Sequence, residues 1–467
     1  MNDRSQKQRL LNWPLLPAVL TLAWPTMLEQ LMSTAVQYVD TAMVGSLGTS
    51  ATAAVGCTVT VNWLIGSTVS AMGVGFLAGI SQARGALDSE QARRVAAQSV
   101  LTVLAAGVFF TALALGLSGR IPVWIRAAPS IRETASRYFF ILYAPMLFRT
   151  ATVIFGTVLR AAGDTRTPMR VGMGVNIVNV ILNFLLIYDE RSVSLFGRTV
   201  HIWGAGWGVT GAAAASAASI VFGGAVLTAV FFRHREISPA GFSIMPDREI
   251  LLPCMRIALP NMLQRFATSL GYVAFAAMIN SLGEIATAAH TIANTVESAF
   301  YAPGYGMMTA AATLTGNAIG AGDEKRLRDQ ARLIFFTEVS LMVISGALLF
   351  AFAPGMVGLF STDAAVILLG STVLRMVACS EPFYGVSIVI EGMLMGAGKT
   401  VASFVFSIIG MWGVRIVGTF ICTQVLGMGL VSAWSCMIAH NLLLFGMFVV
   451  YYRRGKWDPL KEKKPVD

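Results

Sequence analysis

The chain has 467 residues, 55% of them hydrophobic and 12% charged, with a mean hydropathy of +0.68 and a net charge of +10. So few charges cannot cover a soluble globule, and the apolar runs are too long to be core segments, which leaves a polytopic membrane protein. The basic balance does not indicate nucleic acid, because Lys and Arg fall in short loops and tails without interleaved aromatics.

A membrane helix needs roughly 20 mostly apolar residues, and about twelve such segments use up most of the chain. In order, spans are expected near 15–42, 54–80, 93–117, 133–160, 169–188 and 209–232, then near 251–280, 286–318, 331–354, 364–396, 401–422 and 428–452. The expected domains are an N-lobe over 1–232, a polar linker over 233–250, a C-lobe over 251–452 and a basic tail over 453–467. Arg4, Lys7 and Arg9 precede the first span. Arg84, Arg93, Arg94, Arg160, Arg166, Arg170, Arg233, Arg235, Arg248, Lys325, Arg326 and Arg328 fall in alternate loops. With Arg453, Arg454, Lys456, Lys461, Lys463 and Lys464 in the tail, the positive-inside rule puts both termini in the cytoplasm and makes the span count even. The first apolar segment runs past Pro25 without a small-residue cleavage site, so it reads as a retained span of an inner (plasma) membrane protein. Cys57, Cys254, Cys379, Cys422 and Cys436 are scattered singly within spans and read as packing residues.

The chain is written twice. Ser46-Leu47-Gly48 and Ala51-Thr52-Ala53-Ala54 recur as Ser281-Leu282-Gly283 and Ala286-Thr287-Ala288-Ala289, an offset of 235 (281 − 46). At the same offset Pro25 meets Pro260, Gly85 and Asp88 meet Gly320 and Asp323, and Gly163 and Thr165 meet Gly398 and Thr400. After the fifth span the offset becomes 221, as Gly206 and Gly208 meet Gly427 and Gly429, so the first half carries an insertion, expected as an outer loop with Asp189, Glu190, Arg191, Arg198 and His201. Six spans per half make the repeats parallel, an all-α fold of twelve helices in two pseudo-symmetric six-helix lobes flanking a cleft. Such a body suits alternating access.

Charged groups inside spans are costly and face the protein interior, a partner or water. Glu29, Ser33, Gln37 and Asp40 share one face of the first span, and Asn176, Asn179 and Asn183 share one face of the fifth. The amides either bond to neighbouring helices or join Asp40 in a hard-oxygen Na⁺ site or a proton-accepting pocket. Asp40 has no copy in the second half, where Phe275 stands at the matching position. His290, Asn294, Glu297 and Tyr301 share a face of the eighth span, and Glu381, Tyr384 and Glu391 lie in the tenth. Arg265 or Arg375 could neutralise one of these acids, and a buried structural ion pair is the plain alternative. Gly396-Ala397-Gly398-Lys399-Thr400 only approximates a phosphate-binding loop, and no nucleophile set or metal motif supports an enzyme. A ring-forming short segment that would suggest a channel is also absent.

Asp40 with Met43 and Gly45, the paired segments ending Arg84-Gly85-Ala86-Leu87-Asp88 and Gly320-Ala321-Gly322-Asp323, Leu159-Arg160-Ala161-Ala162-Gly163-Asp164-Thr165, Asn179 through Asn183, Gly211 through Ser216, and Val296-Glu297-Ser298 with Pro303-Gly304 together resemble the multidrug and toxic compound extrusion (MATE) family. The resemblance covers nearly the whole chain. It implies a monomeric antiporter that exports bulky cationic or amphipathic small molecules in exchange for H⁺ or Na⁺, with no cofactor. It also implies a first-lobe cation site matching Asp40, Asn179, Asn183 and Ser216; if Na⁺ is the ion, Asp40, Asn179 and Asn183 would be its ligands. Some members carry a second acid where this chain has Asn183 and Thr where it has Ser216, which leaves the ion open. A branch with a seventh-helix acid differs from this chain, which has none from Gln264 to Thr268; Glu297 as second-lobe acid resembles the branch of the DNA-damage-inducible F proteins. Gln37, Asn176, Gln264, His290, Asn294, Glu297, Tyr301, Glu381 and Tyr384 are the expected substrate contacts. A flippase for lipid-linked oligosaccharide precursors is the alternative within transport, and it would call for a strongly cationic cavity, whereas the intramembrane arginines here are Arg149, Arg265, Arg375 and Arg415.

Overall fold

The computed structural model describes residues 15–124, 127–195 and 198–462, without the side chains of Cys57, Val59, Thr60, residues 191–202 and Glu462. Arg4, Lys7, Arg9, Lys463 and Lys464 lie outside the described residues, as do the side chains of Arg191, Arg198, His201 and Cys57. The long helices are α1 (Leu15–Gly45), α2 (Thr49–Gly85), α3 (Ser89–Leu117), the bent α4 (Pro129–Tyr143 and Met146–Ala161), α5 (Arg166–Leu186) and α6 (Gly208–Arg233) in the first half. The second half has α7 (Arg248–Asn280), α8 (Glu284–Gly320), α9 (Glu324–Gly358), the bent α10 (Ala364–Ala378 and Glu381–Ala397), α11 (Thr400–Val425) and α12 (Leu430–Arg453). Eleven of them, counting each bent pair as one, are long and apolar enough to cross a membrane. The twelfth, α8, is 37 residues long but carries His290, Asn294 and Glu297, and it packs among α1, α2, α9 and α10. Protein neighbours rather than lipid surround much of its polar face.

The expected outer loop is instead a hairpin. β1 (Asp189–Leu195) pairs antiparallel with β2 (Arg198–Ala205), with an irregularity between Asp189 and Arg191. Val193, Leu195, Val200 and Ile202 supply the alternation and β-branching that a loop reading passed over. This end of the molecule is called the hairpin end; the opposite end, where residues 234–247 join α6 to α7, is the linker end.

The repeat reaches down to individual backbone angles. Gly48 and Gly283 have φ of 107° and 103° with ψ of 175° in both, opening α2 and α8. Leu87 and Gly322 (φ 61° and 67°) and Gly163 and Gly398 (φ 85° and 74°) also repeat at the 235 offset, and Gly206 and Gly427 (66° and 65°) at 221. Leu87 is the one non-glycine at positive φ among the described residues, occupying a left-handed position that its partner fills with glycine. Asp88 caps α3 by accepting from the Gln91 N–H at 2.9 Å, and Asp323 caps α9 by accepting from the Arg326 N–H at 2.9 Å. The breaks in α4 (50°, at Pro145) and α10 (55°, at Ser380) also correspond.

The lobes exchange the first halves of α1 and α7. Ala18, Val19, Leu22 and Ala23 of α1 pack with Met307, Leu314, Val389 and Met393 of the second half, while Val44 returns to Ile187 and Ala212. Conversely, Ile250 and Cys254 of α7 join Phe76, Ile80 and Val95, and Phe275 and Ile279 rejoin Leu349 and Trp434. Pro25 and Pro260 lie inside these two crossing helices.

At the linker end the halves meet at glycines. A Cβ on Gly85 would overlap the carbonyl of Asn317, and one on Gly320 would overlap the carbonyl of Gln82. Gly85 and Gly320 are repeat partners, as are Gln82 and Asn317, so this is one contact made twice about the pseudo-twofold axis. Gln82 Nε2 adds a bond to the Gly396 carbonyl at 2.9 Å. Toward the hairpin end, Gly56 of α2 and its partner Thr291 of α8 are exposed. The glycine contact is thus confined to the linker end; toward the hairpin end the Tyr38 hydroxyl of α1 donates to the Thr295 carbonyl of α8 at 3.1 Å.

The linker is docked across α2 and α3. Arg94 pairs with Asp247 at 2.8 Å, Arg84 with Glu236 at 3.3 Å, and Arg93 Nη2 donates to the Arg235 carbonyl at 2.7 Å. Gln98 donates to the Met245 carbonyl at 2.8 Å.

Candidate functional site

The residues expected at the cation site come together. Asp40 is half-buried near the hairpin end of α1, and Asn179 and Asn183 are buried on one face of α5. Asn183 Nδ2 donates to Asp40 Oδ1 at 2.6 Å and to Asn179 Oδ1 at 3.2 Å. Turning the Asn179 amide satisfies more groups: its nitrogen then donates to Asp40 Oδ1 at 2.8 Å and Oδ2 at 3.2 Å, and its oxygen accepts from Ser216 Oγ of α6 at 3.2 Å. The carboxylate thus lies against two amides and has no cationic partner within ion-pair distance among the described residues. Asn183 Oδ1 is buried without a partner. Tyr138 of α4 is within electrostatic reach of Asp40 and was not singled out from sequence. It follows the charged Arg132, Glu133 and Arg137 in the first part of α4 and has no helical spacing to the other members.

Several other expected contacts are placed elsewhere. Asn176 makes no side-chain bond among the described residues, and Gln37 is exposed one turn before Asp40. Glu29 shares Asp40's face but is engaged: both its oxygens accept from Arg160 Nη2 at 2.7 Å. Arg160 is accordingly a member of α4 and not a free loop cation, because burying a carboxylate between helices demands a charge partner. Gln264, the repeat counterpart of Glu29, is 4% exposed and donates to Glu391 Oε1 at 3.0 Å and to Ser407 Oγ at 2.9 Å. Arg265 reaches the same Glu391 oxygen at 3.3 Å. Gln264 and Glu29 are thus matched braces between the first and fourth helices of their lobes. Arg375 pairs with no acid among the described residues; its Nε donates to the Phe350 carbonyl at 3.4 Å, and its guanidinium lies 5.6 Å from that ring's centre.

The shared face expected on α8 divides. Asn294 is exposed, His290 sits edge-on between Phe275 and Trp434 at 5.6 and 5.9 Å, and Glu297 is buried. Tyr301 stacks edgewise on Tyr305 and Tyr384 at 5.8 and 5.9 Å, and the Tyr305 and Tyr384 hydroxyls are 3.4 Å apart. Glu381 is buried within electrostatic reach of Glu297 and Glu338. Glu338 of α9 is fully buried, with both oxygens unpartnered, in a slot that exists because Gly304 and Gly385 have no Cβ: one there would come within 2.9 and 2.8 Å of Glu338 Oε1. Its lone acid in an apolar run was the available signal, and only the slot shows where it points. Among the described residues no group of three His, Cys, Asp or Glu is arranged to hold a metal ion.

The MatE family model matches residues 25–185 and again 260–421, so its two copies start 235 residues apart (260 − 25), as the repeat requires. The probable multidrug resistance protein NorM of Thermotoga maritima is 26% identical over 440 residues, covering 94% of this chain and 92% of that protein. The multidrug export protein MepA of Staphylococcus aureus is 23% identical over 447 residues, 95% of each chain. A structure described as the outward-facing conformation of a multidrug resistance MATE family transporter superposes with a TM-score of 0.86 at 23% identity, covering 98% of this chain and 99% of that one. A twice-written helical body and a family model that fits both halves lead to one conclusion: this chain belongs to the MatE family of membrane transporters and is not an enzyme.

Proposed function

We propose that the protein is a cation-coupled antiporter that exports bulky cationic or amphipathic small molecules by alternating access, working as a monomer in the inner membrane with both termini cytoplasmic. The observation that carries this reading is the Asp40 cluster: a carboxylate without a cationic partner, held by Asn179 and Asn183, in the one lobe where the repeat places an acid. A cation entering from the hairpin end binds Asp40, and its binding favours one arrangement of α1 over the other. Substrate in the cleft favours the opposite arrangement. Only such differential affinity drives exchange, since a ligand that binds both states equally shifts neither. The names of the NorM and MepA relatives support multidrug substrates, and Glu297 with the Tyr301–Tyr384 group supports a cationic, partly apolar one.

The proton is favoured over Na⁺ because the Asn183 nitrogen donates to Asp40 and the Asn179 amide, once turned, donates to it as well; Na⁺ held by Asp40, Asn179 and Asn183 would instead require the Asn183 oxygen to turn toward the carboxylate. The flippase reading loses support, since Arg265 is engaged by Glu391 and Arg375 lies over Phe350, which takes two of the four intramembrane arginines away from a shared cationic cavity. The test is dye efflux from proteoliposomes under an imposed pH gradient and, separately, an imposed Na⁺ gradient. Proton coupling is expected, with Asp40→Asn abolishing gradient-driven efflux but retaining dye binding. Efflux driven by neither gradient, or unchanged in Asp40→Asn, would overturn the proposal.

A further inference from the structure

Two of the five cysteines, which chain order scatters singly, meet in the C-lobe. Cys422 near the end of α11 and Cys436 in the second turn of α12 lie with their sulfurs 3.9 Å apart. Both are free thiols and both are half-buried. They are 14 residues apart, and the turn at 426–429 sends the chain straight back, so α11 and α12 are antiparallel neighbours. Their approach is close because residue 418, one turn before Cys422, is glycine: a Cβ on Gly418 would stand 3.1 Å from Cys436 Sγ and 3.5 Å from its Cβ. Thiols placed only to fill a core would be buried, as Cys254 is.

The pair sits at the hairpin end. Gln424 Nε2, two residues past Cys422, donates to Ser281 Oγ at 2.8 Å. Ser281 is the repeat counterpart of Ser46, whose hydroxyl is 2.9 Å from that of Tyr188 beside the hairpin. Cys422 belongs to a π-helical stretch, Ile421–Val425, and the turn folds back over it, with the Met428 N–H donating to the Cys422 carbonyl at 2.8 Å. Such stretches are rare and concentrate at functional sites. With both termini cytoplasmic, as proposed above, this end faces the outer compartment, where disulfides form and persist. Bonding requires the sulfurs to close from 3.9 Å to about 2 Å, a shift within the arc that rotation about a Cα–Cβ bond gives a cysteine sulfur.

We propose that Cys422 and Cys436 are a redox-active pair that closes to an intramolecular disulfide by exchange with an external disulfide. The thiolate of one cysteine attacks a sulfur of the external disulfide, forming a mixed disulfide and releasing one thiol. The second thiolate attacks that mixed disulfide at the first cysteine's sulfur and releases the other thiol. Two electrons and two protons pass from the pair to the external disulfide, which leaves as two thiols. The bridge ties the π-helical end of α11 to α12 inside one lobe, away from the Gly85 and Gly320 contacts between the lobes.

The test uses the purified full-length protein in detergent, so its outcome does not depend on which side the hairpin end faces. The protein is equilibrated in glutathione buffers from fully reduced to fully oxidised, and remaining thiols are blocked with N-ethylmaleimide. Chymotrypsin then cuts after Leu426, Leu430 or Trp434, which leaves the two cysteines on separate peptides. Peptides joined from Cys422 to Cys436 are expected from protein that stays monomeric on a non-reducing gel. They should grow with the oxidised fraction of the buffer and vanish on treatment with dithiothreitol. In Cys436→Ser they should be absent, with glutathione carried on Cys422 instead. Glutathione adducts without joined peptides in the unmodified protein at every ratio overturn the proposal, as do two thiols that stay alkylatable throughout.

Discussion

Replacing Gly85 or Gly320 by alanine should release the linker end. In the observed state a Cβ at Gly85 meets the Asn317 backbone carbonyl and one at Gly320 meets that of Gln82. Backbone atoms of a long helix cannot swing aside, so α2 and α8 must separate by roughly an ångström to restore ordinary contact. Overpacking of this kind costs about 1–3 kcal/mol. The cost falls only on the state in which the linker end is closed, so the equilibrium between closed and open should shift by about 5- to 150-fold per substitution. The two sites share one interface, and the double variant should show less than the sum of the single effects. The assay is pulsed electron paramagnetic resonance with spin labels on Glu90→Cys and Lys325→Cys, exposed repeat partners on the two lobes, in a background without the native cysteines. The long-distance population should grow in Gly85→Ala and Gly320→Ala. It should not change in Gly355→Ala, whose Cβ meets nothing. Distance distributions indistinguishable from the parent in both clamp variants would refute the reasoning.

Two further outcomes follow from interactions already described. Arg160→Gln removes the partner of the partly exposed Glu29 carboxylate between α1, α4 and α5, which should lower stability by about 1–3 kcal/mol; a thermal melt should recover largely in Arg160→Met with Glu29→Leu, and a fully additive double variant would contradict the pairing. In the linker, burial pushes the His234 imidazole below its ordinary value, partly opposed by Asp164 and Glu236, so the docked linker favours the neutral ring. The sign follows: docking is fully present above the ordinary histidine range and weakens as pH falls through it. Proteolysis between Arg235 and Arg248 should accelerate at pH 5.5 relative to 7.5, less so in His234→Gln, and a pH-independent rate would dispose of the idea.

Much of this molecule is legible along the chain because its two governing constraints are local. Lipid forces backbone groups to bond within each helix, so span positions follow from apolar length, and duplication repeats glycines and caps at one offset. Helical spacing put Asn179 and Asn183 on one face, and the family resemblance, not periodicity, joined Asp40 to them. The hairpin at Asp189–Ala205 was missed because its strands are short and half polar. Glu29 and Asp40 look alike in sequence, and only the approach of α4 separates a braced acid from an available one. The same holds for α8, where His290, Asn294 and Glu297 share an azimuth but meet different neighbours as the helix passes between lobes. What the sequence by itself determined was the repeat, the helical membrane body and the acid unique to one half. The tertiary structure alone decided which buried charges are already paired, that Gly85 and Gly320 close one end reciprocally, and that the Arg415 guanidinium lies over Phe275, the residue at Asp40's place in the second half. Those depend on distances between segments far apart in the chain, which no periodicity encodes.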